Sequence, residues 1–111
     1  MNHNMKTLKF RSNLVELILS GKKTVTWRLF DDKDLTVGDE LELVNKETMI
    51  KFANAVIVGI HKKRLGDIGG GDFEGHETYE SRDDMFKEMI KNYGDKVNGD
   101  TIVKIIEFRL Q

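Results

Sequence analysis

The stretch Gly21–Arg28, which reads Gly-Lys-Lys-Thr-Val-Thr-Trp-Arg, decides the fold of this chain. It begins at the glycine that ends a predicted helix and continues into residues that alternate between polar and apolar side chains. Strict alternation is typical of a β-strand with one buried side and one solvent-facing side. We therefore expect a strand here, with Val25, Trp27 and the following Leu29 facing the core.

The polar side of this strand is the first candidate binding surface. It would present Thr24, Thr26 and Arg28, with Lys22 and Lys23 at its entrance. Hydroxyl, guanidinium and amine groups suit a polar or anionic ligand. The same residues would also suit an edge strand whose charges prevent aggregation, and the pattern alone leaves both readings open. The alternation places Lys22, and not Lys23, on the same side as Thr26.

Composition limits the classes of partner. The chain has 111 residues, of which 33% are charged and 39% hydrophobic, so we expect one domain over residues 1–111. Its 18 basic and 19 acidic side chains give a formal net charge of −1. A broad, nonspecific nucleic-acid clamp needs a clear basic excess, and this balance disfavours one. Any contact with RNA would have to be local.

The sequence favours a cytoplasmic protein without a metal or another cofactor. There is no cysteine, which excludes disulfides and thiolate metal sites, and His3, His61 and His76 lack the spacing of metal ligands. No apolar run approaches the roughly 20 residues that span a bilayer. The first residues lack the apolar core of a signal peptide. We expect no membrane partner and leave the oligomeric state open.

The remaining pattern predicts an α+β fold. Further strands are predicted at residues 7–10, 40–45, 49–61 and 101–110. Two helices are predicted, one capped at its N-terminus by Ser12 or Asn13 and the other by Ser81. Asn54 interrupts the apolar row of the longest strand, which indicates a bulge or a sharp curl there. About five or six strands and two flanking helices predict a small, mostly antiparallel β-barrel, with an open α+β sheet as the alternative.

The segment 66–75 holds five glycines and predicts a mobile loop that closes over a site. It is not a phosphate-binding P-loop, because no Gly-Lys-Ser/Thr follows. The basic run Lys62–Arg64 just before it is expected to be solvated, unless the barrel brings it beside the lysines of the quoted stretch.

Lys23, Thr26 and Glu77 carry the candidate chemistry. A lysine desolvated among apolar walls can lose its proton near neutral pH and act as a base. It would then activate the threonine hydroxyl for attack on an acyl carbon, while the carboxylate orients the amine or moves a proton. The same three residue types also form ordinary surface hydrogen-bond clusters.

Three segments together resemble the ASCH family of the PUA-like superfamily. They are Gly21–Arg28 with Gly38–Asp39 after it, Glu77–Ser81 ahead of a helix, and a last strand that ends Ile106–Phe108. The resemblance extends over Leu8–Leu110. It implies a small β-barrel with a cleft between the first helix, the adjoining strand and the loop that carries the glutamate.

The resemblance implies two functions. PUA-like domains commonly bind RNA, so the cleft is expected to take RNA or a modified nucleoside. The family also contains small bacterial amidohydrolases that remove the acetyl group from acetylated cytidine, and their proposed catalytic residues fall on Lys23, Thr26 and Glu77. The alternative is a non-catalytic RNA-binding module or a ribonuclease-like relative.

Further residues are expected to bind the substrate: Lys22, Thr24, Arg28 and Tyr79. The basic groups would contact phosphate, while Tyr79, Trp27 or Phe73 would stack on a base. Glu74 and Glu80 lie close in sequence to Glu77, and either would serve as the carboxylate of the cleft in its place.

Overall fold

The structure is a computed structural model that describes residues 5–111, so His3 lies outside the described residues. The strands and helices follow in this order: β1 (Lys6–Phe10), α1 (Ser12–Leu19), β2 (Val25–Leu29), β3 (Glu40–Asn45), β4 (Lys51–Arg64), α2 (Arg82–Tyr93) and β5 (Ile102–Leu110). Two short 3₁₀ turns, Leu65–Asp67 and Gly70–Phe73, lie between β4 and α2. Within residues 5–111, neither helix has both the length and the apolar character that a membrane crossing requires.

The strands form one five-stranded sheet in the order β1-β3-β4-β5-β2. The β1–β3 pair is parallel, and the β3–β4, β4–β5 and β5–β2 pairs are antiparallel. The sheet curls into a half-barrel whose two edges are β1 and β2. This confirms the predicted α+β, mostly antiparallel and barrel-like architecture. It also confirms that the strand of the opening stretch is an edge strand.

Two hydrophobic clusters lie on opposite faces of the sheet, and β5 contributes to both. Ile106 and Phe108 pack with β1, β3 and Ile18 of α1, whereas Val103 and Ile105 pack against α2 and the core-facing side of β2. Successive side chains of a strand point to opposite faces, so a central strand buried on both sides reads as a nearly continuous apolar run. The predicted core positions Val25, Trp27 and Leu29 belong to the second cluster.

Of the bulge or sharp curl predicted at Asn54, the bulge does not occur at that residue, and this part of the prediction is wrong. Asn54 pairs regularly with Glu42, and the register shifts instead on either side of it, at Phe52 opposite β3 and at Val58 opposite β5. An extra residue in one strand bends that strand and increases its twist. These two shifts therefore curl β4, the longest strand, around the core.

The side-chain cap predicted at Ser12 or Asn13 is wrong as well. Arg11 occupies the N-cap position of α1 without a side-chain cap. The main-chain N–H of Ser12 instead donates to the Glu47 carboxylate at 2.9 Å. Because Glu47 lies in the β3–β4 turn, the first turn of α1 is stabilised from another part of the chain. The predicted cap of α2 is confirmed, since the Ser81 hydroxyl accepts from the Asp84 N–H at 3.1 Å.

The glycine-rich segment folds into the two 3₁₀ turns and is anchored to the core. Leu65 and Ile68 are buried. Asp72 accepts from the Gly69 N–H at 2.8 Å and pairs with Lys63 at 2.7 Å. A closing movement of this loop stays a prediction. Its anchoring brings Phe73 against Trp27, with ring centroids 5.3 Å apart.

Candidate functional site

A cleft of about 440 Å³ opens between the two edge strands of the half-barrel. Its walls come from β1, the start of α1, β2, the segment 76–79 and the inner side of α2. The guanidinium of Arg28 ties the two edges together, because Nη2 donates to the main-chain oxygen of Lys9 at 2.9 Å. A cleft of this size suits a ligand as large as a nucleoside.

Lys23 is the buried amine of this cleft, with only 3% of its surface exposed. It lies between α1 and β2, where the main-chain N–H groups of Lys22 and Lys23 both donate to the oxygen of Leu17 at 2.9 Å. The side chain of Lys22 is exposed and does not line the cleft. The expectation that Lys22 shares the side of Thr26 is wrong, because regular alternation begins only at Val25.

Lys23 is paired with Glu77. Its Nζ donates to Oε2 of Glu77 at 2.5 Å and to the main-chain oxygen of Val25 at 2.7 Å. Burial lowers the pKa of Lys23, although Glu77 acts in the opposite direction. Burial alone would raise the pKa of Glu77, but Lys23 and His76 together hold it below its usual value. Glu74 and Glu80 are exposed and lie outside the cleft lining, so the cleft carboxylate among the three is Glu77.

The hydrogen bonds of Lys23 bear on its protonation state. An uncharged amine has two N–H donors and one lone pair, whereas an ammonium has three donors. The two bonds to Val25 and Glu77 use two donors, which leaves the third position of the nitrogen for a lone pair or a third proton. Because burial lowers the pKa of Lys23, the uncharged form is easier to reach here than in water. The arrangement is suited to accepting and returning a proton.

Thr26 and Arg28 lie together on the inner side of β2. Thr26 is buried, and its Oγ1 accepts from Nε of Arg28 at 3.2 Å. The guanidinium carbon of Arg28 lies 4.8 Å from the centre of the Phe10 ring. The polar side of β2 was expected to face solvent, and for Thr26 that is wrong, because this side faces the interior of the half-barrel. Since Arg28 donates to the hydroxyl oxygen, the hydroxyl proton is free to be donated.

The other two predicted ligand-binding residues differ in position. Thr24 lies outside the cleft lining, and its main-chain N–H donates to the oxygen of Gly75 at 2.9 Å. Tyr79 lines the cleft and contacts the aromatic cluster around Trp27. Burial raises the pKa of Tyr79 to about 12, so it is an uncharged phenol at neutral pH. Thr24 therefore acts on the site through the backbone that holds the 75–77 segment.

His76 is a cleft residue that the sequence pattern did not indicate. Its ring stacks on Trp27 with centroids 3.8 Å apart and planes 12° apart. Nδ1 lies 2.8 Å from the main-chain oxygen of Glu77. Burial, assisted by the nearby Lys23 charge, lowers the pKa of His76 to about 4. His76 lacks the sequence spacing of a metal ligand, and its position directly before Glu77 is the available signal.

Trp27 lines the cleft but offers no open stacking face. It is 5% exposed and lies against both His76 and Phe73. The His76 side chain is itself only 3% exposed, so of these rings the half-buried Tyr79 is the most open to a base in the cleft.

Basic side chains that were not predicted form one rim of the cleft. Lys9, Arg11 and Lys46 line it from the β1 side, where the parallel pairing of β1 with β3 brings them together. Arg11 lies 3.4 Å from Glu88 of α2, on the facing wall. We call Lys9, Arg11 and Lys46 the basic rim.

The basic run Lys62–Arg64 does not extend this rim. Lys63 pairs with Asp72 at 2.7 Å, and Arg64 pairs with Asp67 and Asp100, each at 2.9 Å. Within residues 5–111, no group of three or more His, Cys, Asp or Glu side chains is placed to hold a metal ion.

Gly75 positions the segment that carries His76 and Glu77, and its replacement by alanine is expected to destabilise the fold. Its φ of +76° disfavours any side chain, and an added Cβ would collide with Oγ1 of Thr24. Gly21 has a similar φ of +82° but open space around it. We expect Gly75→Ala to lower the free energy of unfolding by about 2–4 kcal/mol and Gly21→Ala by about 1 kcal/mol, as measured by urea denaturation. An equal decrease in the free energy of unfolding for Gly75→Ala and Gly21→Ala would show that the collision with Thr24 does not destabilise the fold.

No protein-family model matches this sequence, and no curated protein matches it. Solved structures do match its fold. An ASCH domain from Lactobacillus crispatus is 12% identical with a TM-score of 0.72, over 96% of this chain and 79% of that one. ASCH from Zymomonas mobilis is 12% identical with a TM-score of 0.71, over 97% and 68%. Protein EF3133 from Enterococcus faecalis is 17% identical with a TM-score of 0.73, over 99% and 81%. The chain has the fold of the ASCH domain.

Proposed function

We propose that this chain, with its ASCH fold, binds a modified nucleoside in the cleft and removes the acetyl group from acetylated cytidine. One observation carries the proposal: a buried amine, Lys23, is hydrogen-bonded to Glu77 in the same nucleoside-sized cleft that holds the buried hydroxyl of Thr26. Buried titratable groups with a specific charged partner in a cleft are typical of catalytic sites. The family resemblance of the sequence points to the same reaction.

The first half of the proposed reaction transfers the acetyl group to the protein. Uncharged Lys23 accepts the hydroxyl proton of Thr26 while Oγ1 forms a bond to the acetyl carbon. The bond from this carbon to the exocyclic nitrogen then breaks. The Lys23 ammonium returns the proton to that nitrogen, so cytidine leaves and an acetyl ester remains on Thr26.

The second half restores the protein. Lys23 takes a proton from a water molecule whose oxygen attacks the ester carbon, and it returns the proton to Oγ1 of Thr26 as acetic acid leaves. Glu77 stabilises the ammonium each time it forms and holds Nζ in place by the 2.5 Å hydrogen bond. Arg28, which donates to Oγ1, stabilises the negative charge on that oxygen as its proton leaves for Lys23.

The test is cytidine release from acetylcytidine by the wild type beside Thr26→Val, Thr26→Ser and Glu77→Gln. Valine keeps the shape of threonine without its hydroxyl, so we expect kcat to fall about a thousandfold or more, whereas serine keeps the nucleophile and stays within about tenfold. Glu77→Gln is expected to reduce kcat about a hundredfold. Chromatography of the products measures each rate, and circular dichroism checks the fold. Equal activity of the valine variant and the wild type would contradict a threonine nucleophile.

An RNA-binding module is the second candidate function, and the basic rim favours it. Lys9, Arg11 and Lys46 offer three cations along one side of the cleft. Each phosphate contact to a single strand contributes about −0.7 to the slope of log K against log salt, so three contacts would give about −2. Binding of a short RNA with that slope, without hydrolysis of acetylcytidine, would favour this function. Salt-insensitive binding of the free nucleoside would favour the enzyme.

A further inference from the structure

The ring of His76 is held in one orientation and one tautomer. A main-chain carbonyl oxygen only accepts hydrogen bonds, so the 2.8 Å contact between Nδ1 and the oxygen of Glu77 requires the proton to be on Nδ1. The stacking on Trp27, at 3.8 Å between centroids, fixes the plane of the ring. In the uncharged ring, Nε2 then carries a lone pair and no proton.

Nε2 of His76 is left for a ligand. Among residues 5–111 it has no protein partner, and the fully buried side-chain atoms without a partner are Trp27 Nε1 and Asn54 Oδ1. Nε2 is not one of these, so it keeps some exposure although the side chain as a whole is only 3% exposed, and the ring lines the cleft. Its pKa of about 4 keeps the ring uncharged at neutral pH, so Nε2 is a hydrogen-bond acceptor there.

Side chains of the cleft also offer hydrogen-bond donors to a ligand. Lys23 and Arg28 present N–H groups to the cleft, and Tyr79 presents a protonated phenol. The carboxylates of the cleft are engaged by cations, because Oε2 of Glu77 accepts from Lys23 and Oε2 of Glu88 lies 3.4 Å from Arg11. Nε2 is therefore available to accept a hydrogen bond from a ligand N–H. Its orientation is already fixed by the hydrogen bond of Nδ1 and by the stacking on Trp27.

We propose that Nε2 of His76 accepts a hydrogen bond from the amide N–H of the acylated nucleoside, and that it thereby selects secondary amides over tertiary amides as substrates. This rests on the proposed function and specifies its substrate class. A site that is built to bond a substrate N–H discriminates against an analogue without it, because the buried acceptor is then left unpaired.

The experiment compares acetylcytidine with its analogue methylated on the amide nitrogen, which keeps the scissile bond and lacks the N–H. For the wild type, His76→Phe and His76→Gln we measure the selectivity ratio, which is kcat/KM for acetylcytidine divided by kcat/KM for the methylated analogue. Phenylalanine keeps a ring to stack on Trp27 but has no hydrogen-bond acceptor. We therefore expect the selectivity ratio of His76→Phe to be about tenfold lower than that of the wild type. Glutamine has an amide oxygen to accept with, and its ratio should stay closer to that of the wild type. His76→Met, which also lacks a nitrogen acceptor, replaces the phenylalanine variant if that one fails to fold.

The possible results distinguish a failure of this inference from a failure of the proposed hydrolysis of acetylcytidine. A purely structural role of His76 would slow both compounds equally and leave the ratio unchanged, so an unchanged ratio with active protein overturns the inference alone. The steric effect of the methyl group on the rest of the cleft is the same in every variant, and the glutamine variant, which keeps an acceptor, controls for its contact with position 76. If the wild type does not hydrolyse acetylcytidine, the proposed function is overturned and the substrate assignment with it.

Discussion

Lys23→Met is expected to reduce kcat for acetylcytidine by about 100- to 10,000-fold, the range typical of losing a general base. Methionine fills the buried position without an amine, and Glu77, whose side chain is one-third exposed at 33%, is left to solvent. The matched control is Lys22→Met at the neighbouring position, where the side chain is exposed and outside the cleft. We expect the control to keep its activity within about twofold.

This pair of variants separates catalysis from general positive charge. Both remove one lysine and change the net charge equally, so a loss confined to Lys23→Met is due to the buried amine. The measurement is steady-state kinetics with separate kcat and KM values, together with the midpoint of urea unfolding. An equal decrease of kcat in the two variants, or an increase of KM with kcat unchanged, would contradict a role of Lys23 as base.

The second large effect concerns stability in acid. The pKa of His76 falls from 6.5 in the unfolded chain to about 4 in the fold, mainly because of burial. Between these values the unfolded chain binds more protons than the folded chain, so the free energy of unfolding should decrease as the pH falls from about 6.5 to about 4. The difference corresponds to at most about 3 kcal/mol. Glu77, whose pKa is also held low, contributes a loss of the same sign at lower pH.

The check is urea denaturation of the wild type, His76→Phe and His61→Phe at several pH values from 4 to 7. His76→Phe removes the titrating group, so its stability should depend less on pH across this window, whereas His61 is exposed on β4 and its replacement should leave the wild-type dependence. Identical pH dependence in all three proteins would show that His76 is not the responsible group.

Much of the fold followed from local patterns. Alternation predicted β2 and the buried positions of Val25 and Trp27 correctly, because a strand has a period of two wherever it is regular. The same rule failed for Lys22 and Lys23, which lie between α1 and β2 and whose N–H groups donate to the oxygen of Leu17 in the last turn of α1. The family resemblance indicated Lys23, and the chain reversal at Gly21, with its φ of +82°, is the local feature that alternation could not include.

The rest of the site depends on contacts between distant parts of the chain. The basic rim requires the parallel pairing of β1 with β3, and no sequence pattern predicts that pairing. His76 becomes a cleft residue only through its stacking on Trp27. Three glutamates in one short loop were equivalent in sequence, and the position of Lys23 distinguishes Glu77. Such juxtapositions are set by tertiary packing, whereas periodicity reports only which side of an element is buried.

The most direct test of the central claim is the release of cytidine and acetate from acetylcytidine by the purified wild-type protein. We expect many turnovers for each protein molecule, equal amounts of the two products, and a rate proportional to protein concentration. No cytidine above the buffer control, under conditions where the protein is folded and binds the nucleoside, would contradict it and leave the cleft as a binding site alone.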